Sequence, residues 1–170
     1  MGRAARLVLD GMYRACGFIA AVFLIAVLVV ILLQIGARWL GLQFPGSTAY
    51  AGYAMAGASF FGLAYALNHN AHIRVSLVIS RLSGQARRFV EIWCLVIATG
   101  LSGYFAWYAI KAVQISRLID DISQGQDATP LWIPQLVMAV GTVVLAIAFA
   151  DHLVRLLLGG PITTDEKSQA

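Results

Sequence analysis

Long apolar stretches, separated by short polar ones, dominate the chain. Residues 17–37, 49–67, 90–110 and 132–150 are each almost free of charged side chains. An apolar helix of about 20 residues is long enough to cross the hydrocarbon core of a bilayer. The pattern therefore predicts an all-α integral membrane protein with four transmembrane helices, and residues 17–158 form its membrane domain.

Amphipathic segments flank these spans. In residues 1–16 the arginines share one helical face, and Val8, Leu9 and Met12 lie opposite them. Residues 75–82, between the second and third spans, also repeat apolar side chains at helical spacing. Such helices lie in the membrane interface, so we expect one at the N-terminus and one in the central loop. Residues 159–170 read as a polar tail.

The third and fourth spans have recognisable boundaries. Ile115, Leu118, Ile119 and Ile122 keep helical spacing beyond the third span, which predicts an amphipathic extension of that helix. A Gln- and Gly-containing stretch, residues 123–127, then ends it. Pro134 is compatible with the fourth span only within the first turn of its helix.

Composition narrows the class of protein. The chain has 170 residues, of which 60% are hydrophobic and 12% charged, and its mean hydropathy is +0.79. A soluble domain of this size cannot bury that much apolar surface. The net charge of +4 comes from basic residues that flank the apolar stretches. This distribution argues against a nucleic-acid-binding stripe.

The basic residues also predict the orientation. Four crossings place both termini and the central loop on one side of the membrane, and nine of the 12 Lys and Arg residues lie there. The opposite side carries only Arg38, Lys111 and Arg117. Because basic residues accumulate on the cytoplasmic side, we expect cytoplasmic termini and a multi-pass protein of the bacterial inner membrane.

The second span carries small side chains at intervals of about one helical turn. Small residues let two membrane helices approach closely, so we expect a helix-packing face, within the chain or toward a partner. Its candidate residues are Gly52, Ala56, Ala58, Gly62 and Ala66.

Candidate chemistry inside the membrane is scarce. No ionisable side chain lies near the middle of any span, whereas transporters and proton pumps place such groups there. Gln34 is the deepest strongly polar residue, and we expect it to hydrogen-bond between helices. Glu91 follows Arg87 by one turn and Asp151 precedes Arg155 by one turn. Both predict local ion pairs, with a charged contact to a partner subunit as the alternative.

The histidines and cysteines do not suggest a cofactor. His69 and His72 lie in the central loop and His152 at the end of the fourth span, so they do not face each other as haem ligands do. Cys16 and Cys94 lie toward the same membrane side, and we expect two small buried thiols. We therefore expect no cofactor, no metal and no enzymatic activity, and an accessory role in the membrane.

Several positions together resemble a known family. Arg38-Trp39 ends the first span, and His72-Ile73-Arg74-Val75 follows the second; the remaining positions are Arg81-Leu82, Arg87-Arg88, Glu91, Gly125 and Leu131-Trp132-Ile133-Pro134. In this order, over about residues 14–158, they resemble the DctQ-like small membrane subunit of tripartite ATP-independent periplasmic (TRAP) transporters. The chain departs from the family pattern in two places: residues 47–51 contain no acid, and Ser76 follows the motif where many members have aspartate.

The resemblance implies a three-component secondary transport system. A periplasmic binding protein captures the solute, often an organic acid, and a large many-helix subunit moves it by sodium symport. The small subunit binds the large one and enlarges its immobile scaffold. Two alternatives remain from the residues themselves: an autonomous homo-oligomeric transporter, and a membrane anchor for haem or an enzyme.

Two polar regions outside the spans are further candidates. Arg81, Arg87 and Arg88 follow the amphipathic loop segment, and we expect them to hold anionic lipid headgroups. Asp120, Asp121 and Asp127 make the opposite loop acidic. That loop is either a hydrated surface or a contact for the periplasmic binding protein.

Overall fold

A computed structural model describes residues 3–68, 85–125 and 128–158, and it is helical almost throughout. The described residues form four helices: α1 (Arg3–Trp39), α2 (Ser47–Asn68), α3 (Gln85–Leu118) and α4 (Trp132–Leu157). The family motif at His72, Ile73, Arg74 and Val75 and the expected interfacial helix after it lie outside the described residues, as does the tail from residue 159.

Three helices are long and apolar enough to cross a membrane: residues Arg6–Trp39 of α1, Arg88–Leu118 of α3, and all of α4. α2 has 22 residues and no charge, which makes it about 33 Å long, but it is not one of these three helices. The structure thus confirms three of the four expected spans by length and composition.

The N-terminal segment is not a separate helix. Residues 3–16 continue into the first span without a break, so that α1 has 37 residues and a length of about 55 Å. An independent interfacial helix over residues 1–16 is therefore not confirmed. Leu9 and Met12, expected to dip into lipid, instead pack against the protein core, while Val8 stays exposed.

The helices pack in a row in the spatial order α1, α2, α4, α3. α2 lies between α1 and α4, and α3 packs mainly on α4. The core lies where α1, α2 and α4 meet. Along the helix axes it lies in the half of the molecule that contains the start of α1 and the end of α4, and we call this half the terminus-bearing end. Its buried apolar residues are Tyr13, Cys16, Ala20, Phe61, Ala64, Leu67, Val144 and Ala148.

Glycines set the distances between the helices of this row. A Cβ at Gly141 of α4 would lie 2.7 Å from Phe60 Cβ of α2, and one at Gly57 of α2 would lie 3.0 Å from the Phe23 ring of α1. Gly17 of α1 faces the Tyr65 ring of α2 in the same way. Missing side chains thus let α2 approach both of its neighbours.

The connection between α3 and α4 is fastened to the start of α2, at the end of the row opposite the chain termini. Tyr53 Oη donates a hydrogen bond to Ser123 Oγ at 3.1 Å, and an isolated bridge joins Ile122 to Pro130. α3 ends at Leu118, one turn before the expected Ile122, because Asp120 adopts a left-handed φ of 47°. α4 begins at Trp132, which places Pro134 in its first turn as expected.

The packing at Gly141 yields a prediction about stability. Gly141→Ala forces α2 and α4 apart and is expected to lower the free energy of unfolding by about 1–3 kcal/mol. Gly103→Ala on α3 is the matched control, since a Cβ there meets nothing within 4 Å and the change is expected to be neutral or stabilising. Thermal unfolding of the purified chain in detergent measures both. Equal melting temperatures for the two variants would contradict the packing account.

Candidate functional site

The candidate packing face on α2 divides into a used part and an open part. Ala58 is buried, Ala56 and Ala66 are half-buried, and a Cβ at Gly62 would lie 3.8 Å from Ala20 Cβ of α1. Gly52 differs, because a Cβ there meets nothing within 4 Å. Ala58 and Gly62 therefore serve packing inside the chain, and Gly52 leaves an opening on the surface.

The glycines in the closest interhelical contacts were not among the candidates. Gly17, Gly57 and Gly141 each face an aromatic ring or its Cβ on the adjacent helix. The sequence alone does not identify these glycines as contact positions, because the contact depends on which helix lies next to each glycine. The Phe60-Phe61 pair is the one visible hint, since large rings in a helix of small residues need small partners. The Phe23 and Phe61 rings indeed stack with centroids 6.3 Å apart.

Gln34 and Glu91 lie at opposite ends of the molecule along the helix axes; Glu91 lies toward the terminus-bearing end. Gln34 is half-buried on α1, and among residues 3–68, 85–125 and 128–158 its side chain forms no hydrogen bond. The expected internal bond between helices is therefore not made by the described residues. Glu91 lies near the start of α3 and is only 6% exposed. The side chain of Arg87, its expected partner, lies outside the described part.

A cluster of polar groups lies at the terminus-bearing end, between α1 and α4. Arg155 Nη2 and Asp151 Oδ2 are 2.5 Å apart, which confirms the expected ion pair. The contact is an ion pair by distance, although the two groups lack hydrogen-bond geometry. Tyr13 is fully buried, and its hydroxyl forms no hydrogen bond to a described residue. His152, which follows Asp151 in the sequence, is also buried. We call Tyr13, Asp151, His152 and Arg155 the ionic cluster.

Arg88 closes the same end of the molecule on the α3 side. Its Nη2 donates a hydrogen bond to the carbonyl oxygen of Leu156 at 3.2 Å. The last carbonyls of a helix lack intrahelical donors, and a cation there is also favoured by the helix dipole. Arg88 therefore joins the start of α3 to the end of α4. Arg81, which is also expected to contact lipid, lies outside the described residues, and so does the side chain of Arg87.

Polar groups in the middle of the helices are used locally. Thr142 Oγ1 donates to the Met138 carbonyl at 2.7 Å, and Thr99 Oγ1 donates to the Leu95 carbonyl at 2.7 Å. Ser59 bonds the Met55 carbonyl in the same way. Hydroxyls commonly satisfy themselves like this inside helices. In the described residues no group of three or more His, Cys, Asp or Glu side chains is placed to hold a metal ion. Cys16 and Cys94 are free thiols; Cys16 is buried as expected, but Cys94 is exposed, so the expectation of burial is wrong for Cys94.

Comparison with known proteins adds to this geometry. Residues 27–159 match the family described as "Tripartite ATP-independent periplasmic transporters, DctQ component". The chain belongs to the DctQ family. The matched range begins within the first span, later than the resemblance from residue 14 that the sequence indicates, and it ends just beyond α4. No curated protein matches the chain.

Membership in the DctQ family fixes the general role. DctQ proteins are the small membrane components of TRAP transporters, in which they act with a large membrane subunit and a periplasmic binding protein. The family is a transporter component and not an enzyme family. The apolar helices agree with a membrane location.

The ionic cluster yields a second prediction about stability. Asp151→Ala leaves Arg155 without its partner, and we expect a loss of about 1–3 kcal/mol in the free energy of unfolding. The double change Asp151→Leu with Arg155→Met removes both charges and is expected to cost less than Asp151→Ala alone.

Lys111→Ala, which removes a charge at an exposed position on α3, is the control and should leave the melting temperature unchanged. A double variant less stable than Asp151→Ala would show that the pair itself stabilises the fold.

Proposed function

We propose that this chain is the small permease subunit of a sodium-coupled, binding-protein-dependent secondary transporter for an organic acid type solute. In this role it binds the large transport subunit and enlarges the fixed scaffold against which the moving part slides. Family membership supports the three-component assembly. The sodium coupling, the solute class and the scaffold role extend what the family resemblance implies.

One surface carries the proposal. α1 is one of the two edge helices of the row, and beyond its contact with α2 its apolar side chains are widely exposed, as at Leu24 (60%), Ile25 (61%) and Leu32 (58%). Lipid solvates such side chains well, but it offers no partner to an amide. Gln34 on the same helix makes no hydrogen bond to a described residue, and an unpaired amide in hydrocarbon is unfavourable. A helix of the large subunit would supply the missing partner.

Gly52 supports the same location. Gln34 and Gly52 both lie in the half of the row opposite the chain termini, on the adjacent helices α1 and α2. An uncovered glycine lets a partner backbone approach closely. We therefore propose that Gln34 and Gly52 belong to the subunit interface, and that Ala56 and Ala66, half-buried on α2, lie at its margin. Glu91, at the other end, is proposed as a further contact of the complex.

The middle of the membrane supports an accessory role. The four helices carry no ionisable side chain at half depth, and the described hydroxyls there bond to their own helices. A transporter acting alone would need a charged or hydrated path for its solute. We propose that solute and ions pass through the large subunit only.

Topology and lipid contacts complete the proposal. α2 is proposed as the fourth crossing, because its small side chains face helices more than lipid. Both termini then lie in the cytoplasm, with the chain in the bacterial inner membrane. Arg81, Arg87 and Arg88 are proposed to contact anionic lipid at the inner surface. The connection between α3 and α4, which carries Asp120 and Asp121, is proposed to face the transient periplasmic binding protein.

Reconstitution tests the function directly. Liposomes containing this chain alone are expected to show no gradient-driven uptake of organic acids. Liposomes containing both membrane subunits, supplied with the binding protein and an inward sodium gradient, are expected to accumulate solute. Saturable uptake by the isolated chain would sink the proposal in favour of an autonomous transporter, and a haem absorbance band would favour the anchor alternative.

Gly52→Leu tests the proposed interface. We expect it to reduce co-purification of the large subunit about ten-fold, since a bulky side chain blocks the close approach of helices. The isolated chain should keep its melting temperature, because the position is open within the fold. Gly103→Leu, also open but on α3 at the other edge of the row, is the matched control and should co-purify normally. Full recovery of the complex with Gly52→Leu would place the interface elsewhere.

A further inference from the structure

An apolar groove runs between α3 and α4, in the half of the row opposite the chain termini. It has a volume of ≈ 350 Å³, and its lining is apolar except for Gln114. The volume lies within the range of about 300–1,000 Å³ that small-molecule sites occupy. Its walls remain open at the surface, as the exposure of Leu136 and Val140 shows.

The α3 wall of the groove leads directly to a cation. Ile110, Val113 and Gln114 line the groove, and Arg117 follows Ile110 by seven residues along the same helix face. The apolar side chains therefore lie deeper in the membrane than the guanidinium. An arginine at this place reaches from apolar surface to the headgroup level.

The α4 wall ends in an aromatic ring at the same level. Leu136 and Val140 follow Trp132 at intervals of four residues, so the three share one face. The Arg117 guanidinium carbon lies 5.5 Å from the centroid of the Trp132 ring. This cation–π contact fixes the charge at the mouth of the groove, and tryptophan favours the headgroup level of a membrane.

With respect to the described residues, the guanidinium of Arg117 has hydrogen-bond donors available for a ligand. Within residues 3–68, 85–125 and 128–158 it forms no ion pair or hydrogen bond, and its contact with Trp132 uses the ring face alone. A guanidinium presents a planar set of donors that fits a phosphate group. An apolar slot with a fixed cation at its headgroup-level end matches a molecule that joins a phosphate to a hydrocarbon chain.

We propose that this groove is a specific phospholipid site in the membrane leaflet opposite the chain termini. One acyl chain lies between α3 and α4 along Val113 and Val140, and the phosphate binds the Arg117 guanidinium over Trp132. The site is separate from the cytoplasmic arginines and from the proposed subunit interface on α1 and α2. It stands whether or not the chain has the transport role proposed above.

Native mass spectrometry of the full chain tests the site. The purified, delipidated protein in mild detergent is given an equal mixture of phosphatidylethanolamine and phosphatidylglycerol, and retained lipid is counted. Diacylglycerol with the same chains serves as the probe that lacks the phosphate. We expect the wild type to retain one phospholipid at this site and to retain diacylglycerol about ten-fold less.

Four variants locate the bound lipid. Arg117→Gln is expected to lower phospholipid retention about ten-fold, to the level of diacylglycerol, and Arg117→Lys to restore part of it. Val140→Phe fills the groove and should expel the lipid while Arg117 remains. Combining Arg117→Gln with Val140→Phe should lose no more than either change alone, because both remove the same molecule.

Lys111→Gln is the matched control, since Lys111 is the other exposed basic residue on this part of α3 but does not line the groove. It should leave retention unchanged. The site is overturned if Arg117→Gln binds phospholipid as the wild type does, or if diacylglycerol is held equally well. It is also overturned if a photo-crosslinker at Val140→Cys in native membranes reacts with a protein helix instead of lipid.

Discussion

The close approach of α2 to both of its neighbours is the contact on which the rest of the structure depends. A membrane offers little hydrophobic force between helices, because lipid chains solvate apolar side chains as well as protein does. Packing at short range must take its place. Gly57 against Phe23 and Gly141 against Phe60 provide it, and they align α1, α2 and α4 so that Tyr13, Phe61 and Ala148 meet in one core. α3 packs mainly on α4.

The polar contacts between helices described above lie toward the two ends of the helices, and the hydroxyl groups near the middle bond within their own helices. At the terminus-bearing end Arg88 holds the last turn of α4, and Asp151 pairs with Arg155. At the other end Tyr53 holds the α3–α4 connection. This division suits a subunit whose helices keep fixed positions, because the ends resist sliding while the middle contributes shape alone.

Much of the architecture could be predicted from the sequence because apolar length is a strong signal. The presence of three long apolar helices, the first-turn position of Pro134 and the pair of Asp151 with Arg155 all follow from spacing along one chain segment. The closest packing contacts could not be predicted, because they depend on which helices become neighbours. Gly52 and Gly141 look alike in sequence, yet one lies open and the other touches Phe60. The end of α3 was missed because the left-handed φ of Asp120 overrides the apolar repeat.

The unbroken length of α1 has a mechanical consequence. A helix of about 55 Å is longer than the hydrocarbon layer of a membrane, which is about 30 Å thick. The first turns of α1 are packed into the protein core through Tyr13 and Cys16. It is one continuous helix from Arg3 to Trp39. The thickness of the bilayer therefore affects the tilt of the whole row: in a thinner membrane α1 tilts, and α2 and α4 must tilt with it.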